Sequence, residues 1–480
     1  MMKRARATRD DQRLTKKAKK PKAEKRGRSD DVPGRAAKKA TTKDNAKRRQ
    51  SDAGVRLIQG QAKRGQSDDA RVTLIRGPGR RLSRMDALKV AKTQLESMQG
   101  LGLVPQPGIC TSQDAPPRRP TLGSDCSGLG TERYALKLAG IHVISKFASE
   151  INCRAQQLYQ AVHCDDVHDR VMHKDVCDPS LLREQVDLYV AGPPCQSWST
   201  MGKRQGLDDL KGRGITFFHC LQYVMKKRPK AVVFENVIGL KKHFAMEFMD
   251  ILLILKDQCN YAVTWEVLNS KDHGVPQSRQ RIYIVAIARE TLKRKFTFPK
   301  KLRMTPDIEK FLKDDIPELK RLPPHMAETA QKNINAQTEK LKKAGVDIDR
   351  QTCLIDVHAS PQFGQAAVGI SPCITATRGK QGGFFVTNRQ RMTNIEELGR
   401  LQGWPTQVVD RMQRANVRVA KKYIGHAIGN GLTVNVVLRL LPRVLYSAGL
   451  LAEKPFDQWK HANFKTYKTL PDDMYQGIPL

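Results

Sequence analysis

Aromatic residues are scarce in this chain, 6% of 480, and acidic ones are outnumbered, 48 Asp and Glu against 85 Lys and Arg. The resulting net charge of +37 speaks for a polyanionic partner and says nothing about fold. None of the ten cysteines stands in a Cys-x-x-Cys pair, so neither a zinc module nor a disulfide framework is indicated, and we expect no metal. No apolar run approaches the roughly 20 residues needed to cross a bilayer. The longest candidates, such as Ile251 to Leu255, read as short core pieces. The N-terminus is charged and lacks the apolar segment of a secretory signal. Together these absences lead us to expect a soluble protein of a reducing compartment with no membrane role. No motif speaks to oligomeric state.

The positive charge is unevenly spread. Residues 1–100 hold 30 Lys and Arg against 11 Asp and Glu, a net of +19, and the rest of the chain carries +18. Residues 1–80 have too little apolar surface to offset their ordering entropy, which predicts a disordered basic tail. Within it, Lys16, Lys17, Lys19, Lys20, Lys22, Lys25 and Arg26 read as a nuclear-import signal, a nucleic-acid arm, or a solvated tail that nothing reads. Residues 81–117 read as a linker in which Leu88, Ala91, Leu95 and Met98 recur at helical spacing.

From Pro120 onward short apolar runs alternate with helical stretches. Strands are predicted at 143–148, 188–190, 231–234, 264–268 and 282–288, with helices at 155–163, 217–226 and 247–257. This alternation predicts a Rossmann-like, doubly wound parallel α/β sheet over residues 118–290. Residues 425–450 complete it, with Gly425 to Leu441 read as one core helix. Residues 291–424 are richer in lysine and broken by Pro299, Pro306, Pro317, Pro323 and Pro324, which suggests a second, smaller domain with helices at 327–343 and 394–402. Residues 451–480 remain as a C-terminal extension.

The chemistry gathers at predicted strand ends. Gly192-Pro193-Pro194-Cys195-Gln196-Ser197-Trp198-Ser199 follows an apolar run, so two prolines fix the direction of the Cys195 thiol at the mouth of the sheet. Such a cysteine is either a small buried hydrophobe or a nucleophile. Phe234-Glu235-Asn236-Val237 ends another strand, and Gln277-Ser278-Arg279-Gln280-Arg281 begins a third. Gly128-Leu129-Gly130 follows a strand-like start at Thr121, and acids stand at Glu150 and Asp175 after the next two apolar stretches. Taken singly, each acid is also a solvated loop charge and the glycine pair a plain turn.

As an ordered set these segments resemble the DNA (cytosine-5)-methyltransferase family, over roughly residues 118–445. The resemblance implies S-adenosylmethionine as cofactor and cytosine turned out of duplex DNA as substrate. It assigns Cys195 as the nucleophile at carbon 6, Glu235 as proton donor at ring nitrogen 3, and Arg279 as the cation for the exocyclic oxygen or for bracing the acid. Arg281 is left to structure, and Asn236 to bracing the turn. Cofactor contacts fall on Cys126, Gly128, Leu129, Gly130, Glu150, Asp175, Val176 and Asn430, the last in the match Gly429-Asn430-Gly431.

The stretch 199–206 resembles the loop that closes over the base, which places Ser199, Lys203 and Arg204 on DNA. Ser371-Pro372-Cys373-Ile374-Thr375 resembles the end of the family's target-recognition region, with Thr375 on backbone phosphate. Residues 397–405 resemble a scaffold motif. Two departures stand out: Cys126 replaces a usual Phe, and Ile151 replaces a large residue, often Trp. Weaker adenosyl binding is the expectation. The alternatives are the related transfer RNA enzyme, whose Cys-Phe-Thr triplet this chain lacks, and an inactive DNA-binding homologue. With the basic tail, the expected location is the nucleus.

Overall fold

The computed structural model describes residues 118–163, 172–173, 175–178, 183–194, 215–314, 327–360, 363–415 and 420–476. The basic tail, the linker helix, and Cys195, Ser199, Lys203 and Arg204 lie outside the described residues.

Seven strands form the main sheet: β1 (Thr121–Asp125), β2 (Ile144–Ser149), β3 (Met172–His173), β4 (Leu188–Ala191), β5 (Ala231–Val237), β6 (Tyr261–Asn269) and β7 (Gln280–Ala288). Their order is β3-β2-β1-β4-β5-β7-β6. Both faces are covered, so the central strands read as continuous apolar runs rather than alternating ones. Along β5 and β7, Ala231, Val233, Tyr283, Val285 and Ile287 face one core, which holds the helices Thr131–Leu138, Cys153–Val162 and Val434–Ser447. Val232, Phe234, Ile282, Ile284 and Ala286 face the other, against Ile215–Lys227 and Ala245–Leu253. Each fully buried side chain of this kind contributes about 1.5–3 kcal/mol.

The sheet is parallel-dominated, as expected, with one exception at β7. It runs antiparallel to both β5 and β6. Residues 270–279 are too few for a parallel crossover, which takes a dozen or more residues. The chain therefore turns back as a hairpin, and β7 slots between β5 and β6. This brings the start of β7 beside the end of β5.

The single core helix expected over 425–441 is instead two, Lys421–Asn430 and Val434–Ser447, bent by 42°. The break at Gly431 has a cause in hydrogen bonding. Its carbonyl accepts from Arg279 Nη2 at 2.7 Å and from Gln402 Nε2 at 3.0 Å, so it leaves the helical ladder. Nearby, Thr433 Oγ1 meets Ser270 Oγ at 2.8 Å.

Beyond β7 lies a second, antiparallel sheet of β8 (Cys353–Ile355), β9 (Ala366–Val368), β10 (Phe385–Val386) and β11 (Arg391–Met392), in the order β11-β10-β8-β9. The Ala327–Lys343 helix packs Ala330 and Ile334 with Ile355, Phe385 and Met392 in a small core of its own. Leu354, Phe384 and Val386, by contrast, join the larger core behind the main sheet. Among the described residues no single helix is long and apolar enough to cross a membrane.

Candidate active site

The parallel register sets the carboxyl ends of β4 and β5 side by side, Ala191 against Phe234. The next residues are therefore Gly192 and Glu235. A methyl group on Gly192 would stand 3.8 Å from Glu235 Oε2, so that oxygen faces the Gly192-Pro193-Pro194 turn leading into Cys195. Asn236, 2% exposed, donates from Nδ2 to the Pro193 carbonyl at 3.3 Å and accepts from its neighbour Val237 N–H at 2.9 Å. Asn236 fastens the turn, as its position predicts.

Across the β5–β7 ladder Glu235 stands opposite Tyr283, and Arg281 lies on the diagonal. Long side chains reach across such diagonals. Arg281 Nε pairs with Glu235 Oε1 at 3.1 Å, with both side chains largely buried. Arg279 behaves differently. Its Nη1 donates to the Ile374 and Gly429 carbonyls at 3.0 and 3.2 Å, and its Nη2 to that of Gly431. The role expected of Arg279 beside the acid belongs to Arg281. Arg279 sits one step before the strand and turns back to clasp the segments 371–374 and 429–431. The antiparallel register was the signal for this, and it is not written in the motif.

At the other half of the sheet, Glu150 follows β2. Its Oε2 accepts from Gly128 N–H at 3.0 Å and its Oε1 from Asn152 N–H at 2.9 Å. Burial raises the Glu150 pKa, and these N–H donors oppose the shift. Each oxygen keeps a lone pair for a further donor, such as a ribose hydroxyl. Gly128 has φ +54°, and a side chain there would meet open space. Ile151, beside Glu150, is 73% exposed and offers an apolar face. Asp175 Oδ1 accepts from Cys177 N–H at 2.9 Å, and Val176 is buried next to it. These groups suit an adenosyl ligand: hydroxyl acceptors, an apolar plate and an uncrowded glycine.

Two of the expected cofactor contacts also have structural reasons. Leu129 is fully buried in the core, so nothing but its backbone can face a ligand. Gly130 is glycine because any side chain would strike Tyr159 and His163, at φ +67°. Cys126 also has positive φ and packs against the layer holding Cys220; a hydrogen bond with that thiol, then burial, raises the Cys126 pKa well above the usual thiol range. Asn430 ends its helix exposed, and the adjoining Gly431 lies against Thr131, so the Gly429-Asn430-Gly431 segment reaches the glycine turn.

A family model described as C-5 cytosine-specific DNA methylase matches residues 123–444. The chain belongs to this family. Among curated relatives it is similar to the type II methyltransferase M.HhaI of Haemophilus parahaemolyticus, 25% identical over 65% of this chain and 90% of that one. It is also similar to the type II methyltransferase M.HpaII of Haemophilus parainfluenzae, 35% identical over 37% of this chain and 48% of that one. A solved structure, that of the Entamoeba histolytica methyltransferase EhMeth, is similar at 16% identity and a TM-score of 0.49, over 68% of this chain and 98% of that one.

In this cytosine methylase the 397–405 match is built as scaffold. Glu397 is fully buried and pairs with Arg391 at 2.8 Å, while Trp404 stacks on Tyr134 with ring centroids 4.8 Å apart. Thr375 Oγ1 caps its helix by accepting from Arg378 N–H at 3.2 Å, and its own proton stays available for a phosphate oxygen. The Gly379–Gly425 backbone contact seats that helix directly on the 421–430 helix.

Proposed function

We propose that this chain methylates carbon 5 of cytosine in DNA, using S-adenosylmethionine and a Cys195 adduct on a base turned out of the duplex. One observation carries the residue assignment: Glu235, clasped by Arg281, aims its free oxygen at the turn that delivers Cys195. Carbon 5 of cytosine is a weak nucleophile, and inside a stacked duplex it is unreachable, so the base leaves the stack first. The Cys195 thiolate adds to carbon 6, and the displaced electron pair runs toward nitrogen 3. Glu235 holds the proton at nitrogen 3 as that atom gains charge, with Arg281 fixing which carboxylate oxygen points inward. Bound S-adenosylmethionine supplies the electrophilic methyl group. Gly128, Glu150, Asp175, Val176, Ile151 and Asn430 are the residues to hold it. Loss of the carbon 5 proton then expels Cys195 and restores the ring.

Thr375, Lys203, Arg204 and Ser199 are assigned to the DNA strand, and residues 291–424 to target recognition. The basic N-terminal segment adds counterion-release affinity that is indifferent to sequence, and in a eukaryotic cell directs the protein to the nucleus. The test is methyl transfer to unmodified duplex, hemimethylated duplex and transfer RNA, with wild type and Cys195→Ser compared. Transfer to a duplex that vanishes in Cys195→Ser, with DNA binding kept within a few-fold, is the expected result. Transfer confined to RNA, or a fully active Ser variant, would overturn the reading.

A further inference from the structure

The sulfur of Cys373 lies 3.9 Å from Arg281 Nη2 and 3.7 Å from Arg279 Nη1. Its segment is pinned by backbone and side chain alike. Ser278 N–H donates to the Ser371 carbonyl at 2.8 Å, Ser371 N–H to that of Pro276 at 2.7 Å, and Ile374 N–H to Gln277 Oε1 at 3.0 Å. The Gln277 amide is in turn fixed by Gln402 Oε1 and the Leu401 carbonyl, so the sulfur has little freedom to drift.

Charge gives this placement its meaning. Arg279 is 3% exposed, yet its partners are three carbonyls and this sulfur, with no carboxylate among the described residues, and its Nε has no partner at all. A buried guanidinium without a counter-charge is costly. Arg279 and the Glu235-paired Arg281 flank one atom able to carry a negative charge. Burial pushes the Cys373 thiol up, but Arg281 and Arg279 outweigh it and bring its pKa below the ordinary thiol value. The charged groups acting here are Arg281 of β7 and Arg279 just before it, with Glu235 of β5 behind Arg281; the 421–430 helix contributes the Gly429 carbonyl.

We infer that Cys373 is a positioning residue for methyl transfer: its sulfur holds the Nη2 edge of Arg281 while Glu235 holds the Nε edge, so the aim of Glu235 depends on Cys373. The row runs Glu235, Arg281, Cys373, Arg279, with the sulfur accepting from both guanidinium groups. Removing the sulfur leaves two cations facing each other, and Arg281 swings from the acid it orients. This rests on the cytosine-methylating reading above.

Full-length Cys373→Ala, Cys373→Ser and Cys373→Asp test it in steady-state methylation of unmodified duplex. Misaimed catalytic groups cost about ten- to a hundredfold, so Cys373→Ala is expected to lose about that much kcat, with KM for DNA and cofactor within about twofold. Cys373→Asp, which places a charged acceptor between the two guanidinium groups, is expected to recover more than Cys373→Ser, whose hydroxyl is a neutral and shorter acceptor. If the Ala variant fails to fold, the Asp-against-Ser contrast decides.

A second arm is independent of activity. In a Cys195→Ser background, iodoacetamide alkylation of Cys373, read by mass spectrometry against pH, should show its thiolate at lower pH than a free cysteine. Arg281→Gln should move that profile up. Unchanged kcat in Cys373→Ala, Ser equal to Asp, or an alkylation profile that Arg281→Gln leaves in place would each overturn the inference. Wild type inactive on every cytosine substrate would instead strike the functional reading, while the alkylation arm still judges the cluster.

Discussion

The two ends of the sheet's mouth are built on opposite principles. Where β1 and β2 end, the polar group is tied to backbone: Glu150 accepts from the N–H groups of Gly128 and Asn152 and has lone pairs left over. Where β5 ends and β7 begins, side chains are tied to one another, Glu235 to Arg281 and Arg281 to Cys373. A backbone-anchored acid tolerates changes in neighbouring side chains. A linked row of side chains transmits them. Side-chain changes at Cys126 and Ile151 therefore leave the anchoring of Glu150 in place, whereas the β5–β7 end has little slack.

The sharpest way to break this contrast is to treat the two arginines alike. Arg281→Gln should lower kcat about a hundredfold, because the acid loses its clamp, while thermal unfolding stays near wild type. Arg279→Gln should do the reverse in kind. It takes this donor from the carbonyls of Ile374 and Gly429 and leaves that of Gly431 to Gln402 alone, so chemical denaturation should show about 3 kcal/mol of lost stability. Equal effects of both variants on stability and on kcat would mean the two residues share one role.

A smaller effect belongs to Glu132, on the helix that follows the glycine turn. It is 2% exposed, and burial raises its carboxyl pKa from 4.5 to about 7. The folded state therefore binds the proton more tightly than the unfolded chain. Its contribution to stability is fully present below pH 4.5 and is lost as the pH rises through about 7. The loss is about 3 kcal/mol by the usual conversion. Urea unfolding of Glu132→Gln at pH 5 and pH 7.5 should show about 2 kcal/mol less pH dependence than wild type; matching slopes would remove Glu132 from the account. Smallest of all, Ile151→Trp should tighten S-adenosylmethionine binding in calorimetry by about 1 kcal/mol. Unchanged affinity would mean the exposed Ile151 face is not the adenine plate.

Much of this architecture is legible in the sequence, because a sheet buried on both faces writes itself as apolar runs. The strands at 188–191, 231–237 and 280–288 and the 327–343 helix stand where periodicity puts them. Direction is another matter, since an apolar run does not record which way its strand points. The antiparallel entry of β7 follows from the shortness of residues 270–279, and with it comes the exchange of roles between Arg279 and Arg281. The break at Gly431 was hidden for a similar reason: the hydrogen bonds that pull its carbonyl from the helix come from Arg279 and Gln402, distant in sequence. The packing of Tyr159 and His163 against Gly130 is likewise absent from the motif, because both lie well beyond it along the chain.

The most direct test of the central claim is covalent trapping. Duplex DNA carrying 5-fluorocytosine in the target position cannot release fluorine as a proton, so the adduct should persist once the methyl group has been transferred. Incubated with S-adenosylmethionine, the wild-type chain should give a denaturant-resistant complex whose cross-linked peptide maps to Cys195. Its yield should fall sharply in Arg281→Gln and far less in Arg279→Gln once matched for folded protein. No complex on duplex DNA, or a cross-link at any residue other than Cys195, would contradict the mechanism.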